Sequence, residues 1–201
     1  MKRSVFALSC VAMALLLTAW LTSRARAQDD NGQGDDCGTA VTAEDDDIRA
    51  GVPLSFTDND DGTITDNNTG LVWEKLSQDQ SIHGEGAGVT WDDAFSVHVA
   101  TLNGTSFARH SDWRLPNLRE LQGIVNYQNY EPALSSPAFN NNCRPLCTVL
   151  TCSCTLKGTY WSSTSVADSP VCAWSALHAV GHSNPVGKSV PNGIRAVRGG
   201  A

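Results

Sequence analysis

Six cysteines beyond residue 28, Cys37, Cys143, Cys147, Cys152, Cys154 and Cys172, are the side chains whose type and spacing bear most directly on chemistry. Four of them crowd into residues 143–154 with the spacing C-x3-C-x4-C-x-C. A structural zinc site would use paired C-x2-C knuckles, which this spacing lacks. A thiol oxidoreductase would need a C-x-x-C pair with a lowered thiol pKa, and none occurs. An even set of cysteines in an exported chain favours disulfides, and six allow 15 complete pairings. Cys152 and Cys154 face the same way in extended backbone, where neighbours two apart rarely meet disulfide geometry, so each is expected to bond elsewhere. The expected arrangement is nested, Cys143 with Cys154 and Cys147 with Cys152, which leaves Cys37 for Cys172.

The carboxylates of Asp58, Asp60, Asp61 and Asp66 around Gly62 invite a calcium reading, because hard cations take clustered oxygens. Their spacing departs from the EF-hand loop, and Asp, Asn and Gly are also the residues that tight turns use without any metal. No metal or cofactor is assigned. His83, His110, His178 and His182 are scattered, and no serine sits in a Gly-x-Ser-x-Gly elbow, so hydrolase chemistry has no support and no catalytic residue is assigned. His98 falls on the apolar face of a helix, where a hydrogen-bonded core histidine is the expectation. Residues that could instead touch a ligand lie late in the chain: Trp174, His178, His182 and Lys188, with Lys157 and Arg144 as cations able to form a local patch.

These residues must be carried by regular elements. Leu54 to Thr57 and Thr63 to Thr65 alternate around the turn 58–62, and 66–70 makes a second turn before Leu71-Val72-Trp73, which together predict a small β-meander. Thr90 can cap a helix over about 90–103 that places Trp91, Ala94, Phe95, His98 and Leu102 on one side. Pro116 disfavours helix for Arg114-Leu115, and Asn117 with Glu120 forms a capping-box-like start, so 111–121 reads as a strand-to-helix corner. Leu118, Leu121 and Val125 should then be buried while Arg119 and Gln122 stay wet. Residues 127–159 carry Pro132, Pro137, Asn140-Asn141-Asn142 and Pro145, and are expected to be a long loop region. Tyr160 to Ser165 and Val171 to Val180 read as strands, 181–185 as a turn, and Gly193 to Arg198 as the last strand. Trp73, Trp91, Trp113, Trp161 and Trp174 sit inside these elements as expected core, with Trp174 nearest the loops.

The run Ser111-Asp112-Trp113-Arg114-Leu115-Pro116-Asn117-Leu118-Arg119-Glu120-Leu121 resembles the corner of the Lcl-type C-terminal domains, a bacterial family related to the C-type-lectin-like superfold. Four more segments match in the family's order: 56–66 with 69–73, Thr90-Trp91-Asp92-Asp93-Ala94, Tyr160-Trp161-Ser162-Ser163-Thr164, and Ile194-Arg195-Ala196-Val197-Arg198-Gly199. The resemblance spans about residues 54 to 200. It implies an α+β, C-type-lectin-like domain with two helices, a small antiparallel sheet and a long loop region, its terminal strand returning beside the first. It further implies a non-enzymatic binding module, since one characterised relative is an adhesin for sulfated glycosaminoglycans. The cysteine cluster lies outside the family signature and is expected to staple an insertion in the loop face. Calcium-dependent lectins have Asn after a Glu-Pro pair, where Glu131-Pro132 here precedes Ala133, and a Trp-Asn-Asp triplet is absent. Formylglycine-generating enzymes carry a similar corner and terminal arginine strand, and an enzyme of that type is the minor alternative, although neither Cys172 nor the loop cluster aligns with their pair of active-site cysteines.

The chain has 201 residues and a formal charge of −7 from 14 basic and 21 acidic residues. Lys2 and Arg3 precede an apolar run to about Leu21, and Ala25-Arg26-Ala27 offers a cleavage site, so 1–27 reads as a secretory signal peptide with no membrane span left after its removal. That removal takes four bases and no acids and leaves −11. Eight acids lie in 29–47 with no base among them, and 28–50 therefore reads as an acidic flexible tether. Residues 51–201 then form one domain, mildly acidic at 13 acids against 9 bases. No basic run of the kind nucleic acid requires is present. The expected protein is secreted, periplasmic or at the cell surface. It is expected to use loops at about 128–157 and 178–192 to engage an extracellular glycan or, as the alternative, an envelope protein in a structural or assembly role.

Overall fold

The computed structural model describes residues 52–200, apart from 85, 87 and 136. The expected signal peptide, the acidic tether and Cys37 lie outside the described residues. The chain order is β1 (Phe56–Asp58), β2 (Thr63–Asp66), β3 (Leu71–Glu74), helix α1 over 91–104, a short 3-10 turn (Phe107–Arg109), α2 (Leu118–Gly123), β4 (Thr159–Val166), β5 (Ser169–Leu177), β6 (His182–Gly187) and β7 (Val197–Gly199). It is an α+β fold with two helices and two antiparallel sheets, one ordered β1-β2-β3-β7 and the other β4-β5-β6.

The meander forms where alternation placed it. Its turns are held by the carboxylates that resembled a calcium cluster: Asp58 accepts from the Asp60 amide at 3.0 Å, Asp61 from the Thr63 amide at 3.1 Å, and Asp66 from the Asn68 amide at 2.9 Å. Gly62 has φ +93°, and a Cβ there would lie 2.9 Å from a Val149 methyl carbon. Only glycine closes this turn against the disulfide-bearing loop.

Helix α1 begins on Thr90, whose side chain accepts from the Asp93 amide. Its middle, Ala94–Val99, is π-helical, with the Ala100 amide reaching back five residues to Phe95 O. In a regular α-helix, residues four apart drift by about 40° per step. The wider turn takes up that drift and keeps Ala94, His98 and Leu102 in one buried line. The 111–121 corner is built as its residues dictate. Arg114 exchanges both backbone bonds with Val197 at 2.8 and 2.9 Å, and Asn117 with Glu120 completes the capping box. Leu121, Ile124 and Val125 join Ile64, Leu71, Trp73, Phe139 and Val197 in the main core, while Arg119 and Gln122 are exposed. Trp161 and Leu115 form a second cluster with Ala94, and Trp113 a third with Leu102 and Ala196.

Three expectations are corrected. Residues 181–185 are not a turn: His182–Gly187 is strand β6, paired along its length with β5, and Trp174 faces Pro185 across the pair. Proline, lacking an N–H, suggested a break, but β6 is an edge strand and its outward side needs no donor. The loop expected over 178–192 therefore shrinks to the ends of this strand. The terminal strand returns beside β3, not β1, pairing Trp73 with Val197. The meander offers two free edges, those of β1 and β3, and Val197 is held at the β3 edge by its backbone bonds with Arg114 of the corner. The last strand is also shorter than expected, since Gly193 makes only a single parallel bridge to Tyr160.

Residues 127–158 hold no named strand or helix, only isolated bridges such as Asn141 with Ser153. The nested disulfides are present, Cys143–Cys154 and Cys147–Cys152. Cys147, Cys152 and Cys154 are buried with Leu76 and Tyr160, while Cys143 is exposed. Cys172 is half-buried and bonded to none of the described cysteines.

Candidate functional site

The polar centre of the domain is Glu74, at the end of β3 and fully enclosed. Its carboxylate meets His83 Nδ1 at 2.6 Å and His98 Nε2 at 2.8 Å, and accepts the Ala196 amide at 2.9 Å. Burial pushes the Glu74 carboxyl up, but His98 and His83 together overcome that and bring it to about 2. Glu74 is thus an anion near neutral pH, and both imidazoles turn an N–H toward it. Arg195, also enclosed, donates to Glu74 O at 3.0 Å, Cys154 O at 2.6 Å and Thr155 Oγ1 at 2.8 Å. The terminal segment, the meander and the disulfide loop are knotted together at this point.

One side of this hub is the wall of a cleft. Val97 and His98 of α1, Tyr160 of β4, the glycines of 84–88, and Asn192, Gly193 and Ile194 enclose about 230 Å³. A second recess of about 180 Å³ shares Gly86, Gly88, Leu156, Tyr160, Asn192 and Gly193 and adds Gly158, Thr159 and Pro191. The rim is set by local bonds. Asp79 accepts from Ser77 Oγ at 2.7 Å and from the Ser81 amide at 3.1 Å, and Val89 exchanges bonds with Asn192 at 2.9 and 3.0 Å. Burial opposes ionisation of Asp79, but the bonds from Ser81 and Ser77 outweigh it and lower its pKa. Tyr160 is fixed by its hydroxyl, which accepts from the Leu156 amide at 2.9 Å, and by a ring stacked on His178 at 4.4 Å.

The walls are aliphatic, supplemented by backbone of the glycines, Ser81, Asn192 and one face of His98. His98 oriented by Glu74 has the form of a carboxylate-aligned base. Among the described wall residues of this first cleft, the hydroxyl side chain other than Tyr160 is Ser81, which donates to Asp79. Among the described residues the one group with ligand atoms close enough for a metal is Cys147, Cys152 and Cys154, and these sulfurs are in disulfides.

The sequence candidates are dispersed. Trp174 is half-buried in the middle of β5. His178 is fully buried beneath Tyr160 with neither ring nitrogen hydrogen-bonded; burial first, then Arg195, lowers its pKa to about 3, so it stays neutral. His182 is exposed at the start of β6. Lys188 lies 3.8 Å over the Trp91 ring and donates to Ser165 Oγ at 2.8 Å. Lys157 pairs with Glu131 at 2.5 Å, and Arg144 is exposed on the cysteine loop. The three cations have separate settings and make no shared cluster of contacts. Sequence reasoning missed the cleft, although the run His83-Gly84-Glu85-Gly86-Ala87-Gly88 carries a signal for it: backbone bare of side chains approaches a neighbouring surface closely.

The family model described as the Lcl C-terminal domain matches residues 62–198. No curated protein sequence matches the chain.

Proposed function

Because this chain belongs to the Lcl C-terminal domain family, we propose that it is a non-enzymatic, exported binding module that engages an extracellular glycan in adhesin-like fashion. The observation that carries this reading is the cleft beside His98. At about 230 Å³ it is below the roughly 300–1,000 Å³ of sites for drug-sized ligands, and suits one ring of a longer molecule. Its apolar walls would take the C–H face of a sugar, and Asn192, Ser81 and the glycine backbone would take hydroxyls.

The lining offers no cation, and Lys157 and Lys188 are engaged elsewhere. An uncharged glycan therefore fits this surface better than a sulfated one. Export by the 1–27 segment, cleavage there, and an acidic tether over 28–50 belong to the same proposal. No described helix is long and apolar enough to cross a membrane.

The test is a glycan array probed with oxidised protein and with Val97→Trp. Val97 is 48% exposed on the cleft wall, so a larger ring there fills the cleft without disturbing the core. Array binding by the native protein that Val97→Trp loses supports the reading; the same spots lit equally by both proteins would place the ligand elsewhere.

The aliphatic share of the walls, Leu76, Ile82, Val89, Val97, Leu156 and Ile194, favours one second reading. An envelope protein could insert an apolar side chain there, in a structural or assembly role. A blank array together with an envelope protein recovered by the native chain and not by Val97→Trp would select it.

A further inference from the structure

Tyr127 and Tyr130 are the two aromatic side chains that stand well out from the described surface, 75% and 74% exposed. Neither ring stacks on another. Exposed rings of this size on an ordered loop call for an explanation that core packing does not supply. The loop is pinned at both ends: Asn126 donates to Ala133 O at 3.0 Å, Glu131 to Ala179 O at 3.0 Å, and Ala133 to His178 O at 2.7 Å.

Tyr127 is held further. Its hydroxyl donates to Gly181 O at 3.0 Å, and its ring edge rests on Gly181, where a Cβ would lie 2.8 Å from Cε1. Gly181 has φ +80°. Tyr130 is followed by Glu131, whose carboxylate Lys157 neutralises and whose backbone is bonded to Ala179. Ordered rings lose little freedom on binding, which is why fixed tyrosines make efficient contact surfaces.

Resting on the glycan reading above, we propose that Tyr127 and Tyr130 form a stacking subsite for the distal rings of an uncharged saccharide chain whose end occupies the cleft. The chemistry selects that ligand. The negative face of an aromatic ring attracts the weakly positive C–H face of a pyranose. Gln128 and Glu131 lie on the same loop, and His182 opens β6 directly after the Gly181 on which Tyr127 rests, so polar groups able to bond saccharide hydroxyls flank the rings in the chain. Glu131 and Lys157 cancel each other, so the subsite carries no net cation for sulfate. Continuity comes from Lys157, which pairs with Glu131 and lies between Leu156, a residue of the cleft, and Gly158, a residue of the adjoining recess.

The experiment titrates the full oxidised chain against an array-derived panel of uncharged oligosaccharides, one to six rings long, and a heparin hexasaccharide, at two salt concentrations. Expected is binding of at least one uncharged chain that strengthens with length and ignores salt. Tyr127→Ala and Tyr130→Ala together should weaken the hexamer about ten-fold or more, the scale of a binding hot spot, and abolish the gain with length. Tyr130→Trp should restore or exceed native affinity. Saturation transfer from aromatic protons should reach saccharide ring protons in the native protein and fall in the double variant. Both rings are exposed, so a cooperative melt lowered by no more than the loss of the Tyr127 contacts with Gly181 is the control for folding.

Hexamer binding that survives the double variant but fails in Val97→Trp would overturn the stacking subsite and leave the glycan reading standing. Salt-sensitive binding of heparin alone would do the same. No binding to any saccharide by the folded native protein would overturn both.

Discussion

Glu74 Oε2 lies 2.8 Å from His98 Nε2, both side chains being enclosed where β3 meets the π-helical turn of α1. A buried carboxylate is tolerated only when its partners replace water, and here two imidazoles and a backbone amide do so. The pair therefore fixes the helix against the sheet and shapes the cleft wall from behind.

Glu74 predicts an acid-sensitive fold. Its folded pKa, about 2, lies below the ordinary 4.5, so the stabilisation is complete above about pH 4.5 and is lost as pH falls toward 2. At about 1.4 kcal/mol per pKa unit the loss is about 3 kcal/mol. Glu74→Gln should be less stable than the native protein near neutral pH by a similar amount, and the two urea-unfolding curves should converge between pH 4.5 and 2. A constant gap across that range would show that the carboxylate's charge contributes nothing.

His178 predicts a second, separable dependence. A histidine whose folded pKa is depressed, here to about 3 from 6.5, costs nothing while neutral above pH 6.5. The unfolded chain binds the proton first, so stability is lost as pH falls from 6.5 toward 3. His178→Phe keeps a ring against Tyr160 and removes two buried nitrogens that have no hydrogen-bond partner. It should leave stability at pH 7 unchanged or about 1 kcal/mol higher and flatten the curve between pH 6.5 and 3. A variant as acid-sensitive as the native protein in that interval would refute the assignment.

What was legible in the sequence follows from how local each signal is. The capping box of Asn117 and Glu120, the turns around Gly62 and the nested cysteines each close within a dozen residues, and their side chains meet as their spacing dictates. The matched arginines also serve architecture: Arg114 grips Glu120 at 2.8 and 2.7 Å, and Arg198 grips Asp112 at 2.8 Å. That is why the motif identifies a fold and no reaction. The cleft was not legible, because Val97, Tyr160 and Asn192 are brought together only by tertiary pairing. Nor was β6, since a proline reads as a break unless one knows that its strand has an open edge.

The two disulfides should differ in value. Chain-entropy arithmetic gives about 3 kcal/mol for the outer loop and about 2 kcal/mol for the inner, for sequence separations of 11 and 5. Nesting makes the two contributions less than additive, because each bond already restricts the unfolded loop the other closes. Thermal unfolding of Cys143→Ser with Cys154→Ser, of Cys147→Ser with Cys152→Ser, and of all four together checks this. A larger loss from the inner pair than from the outer would contradict the entropic account.

Trp113 and Asn117 sit four residues apart in the corner, yet their truncation should differ several-fold in cost. Trp113 is buried against Phe107 at 5.3 Å between ring centroids, its indole N–H donates to Phe107 O at 3.1 Å, and its backbone amide donates to Asn103 at 2.7 Å. Replacing it by Ala opens a cavity among Leu102 and Ala196 at about 3–5 kcal/mol, a large part of the 5–15 kcal/mol typical of a domain. Asn117 is exposed and contributes one cap, so Asn117→Ala should cost about 1 kcal/mol. Chemical denaturation of both variants decides the point. Trp113→Ala should be unfolded or strongly destabilised while Asn117→Ala stays folded, and equal losses would mean that the indole does not anchor the corner.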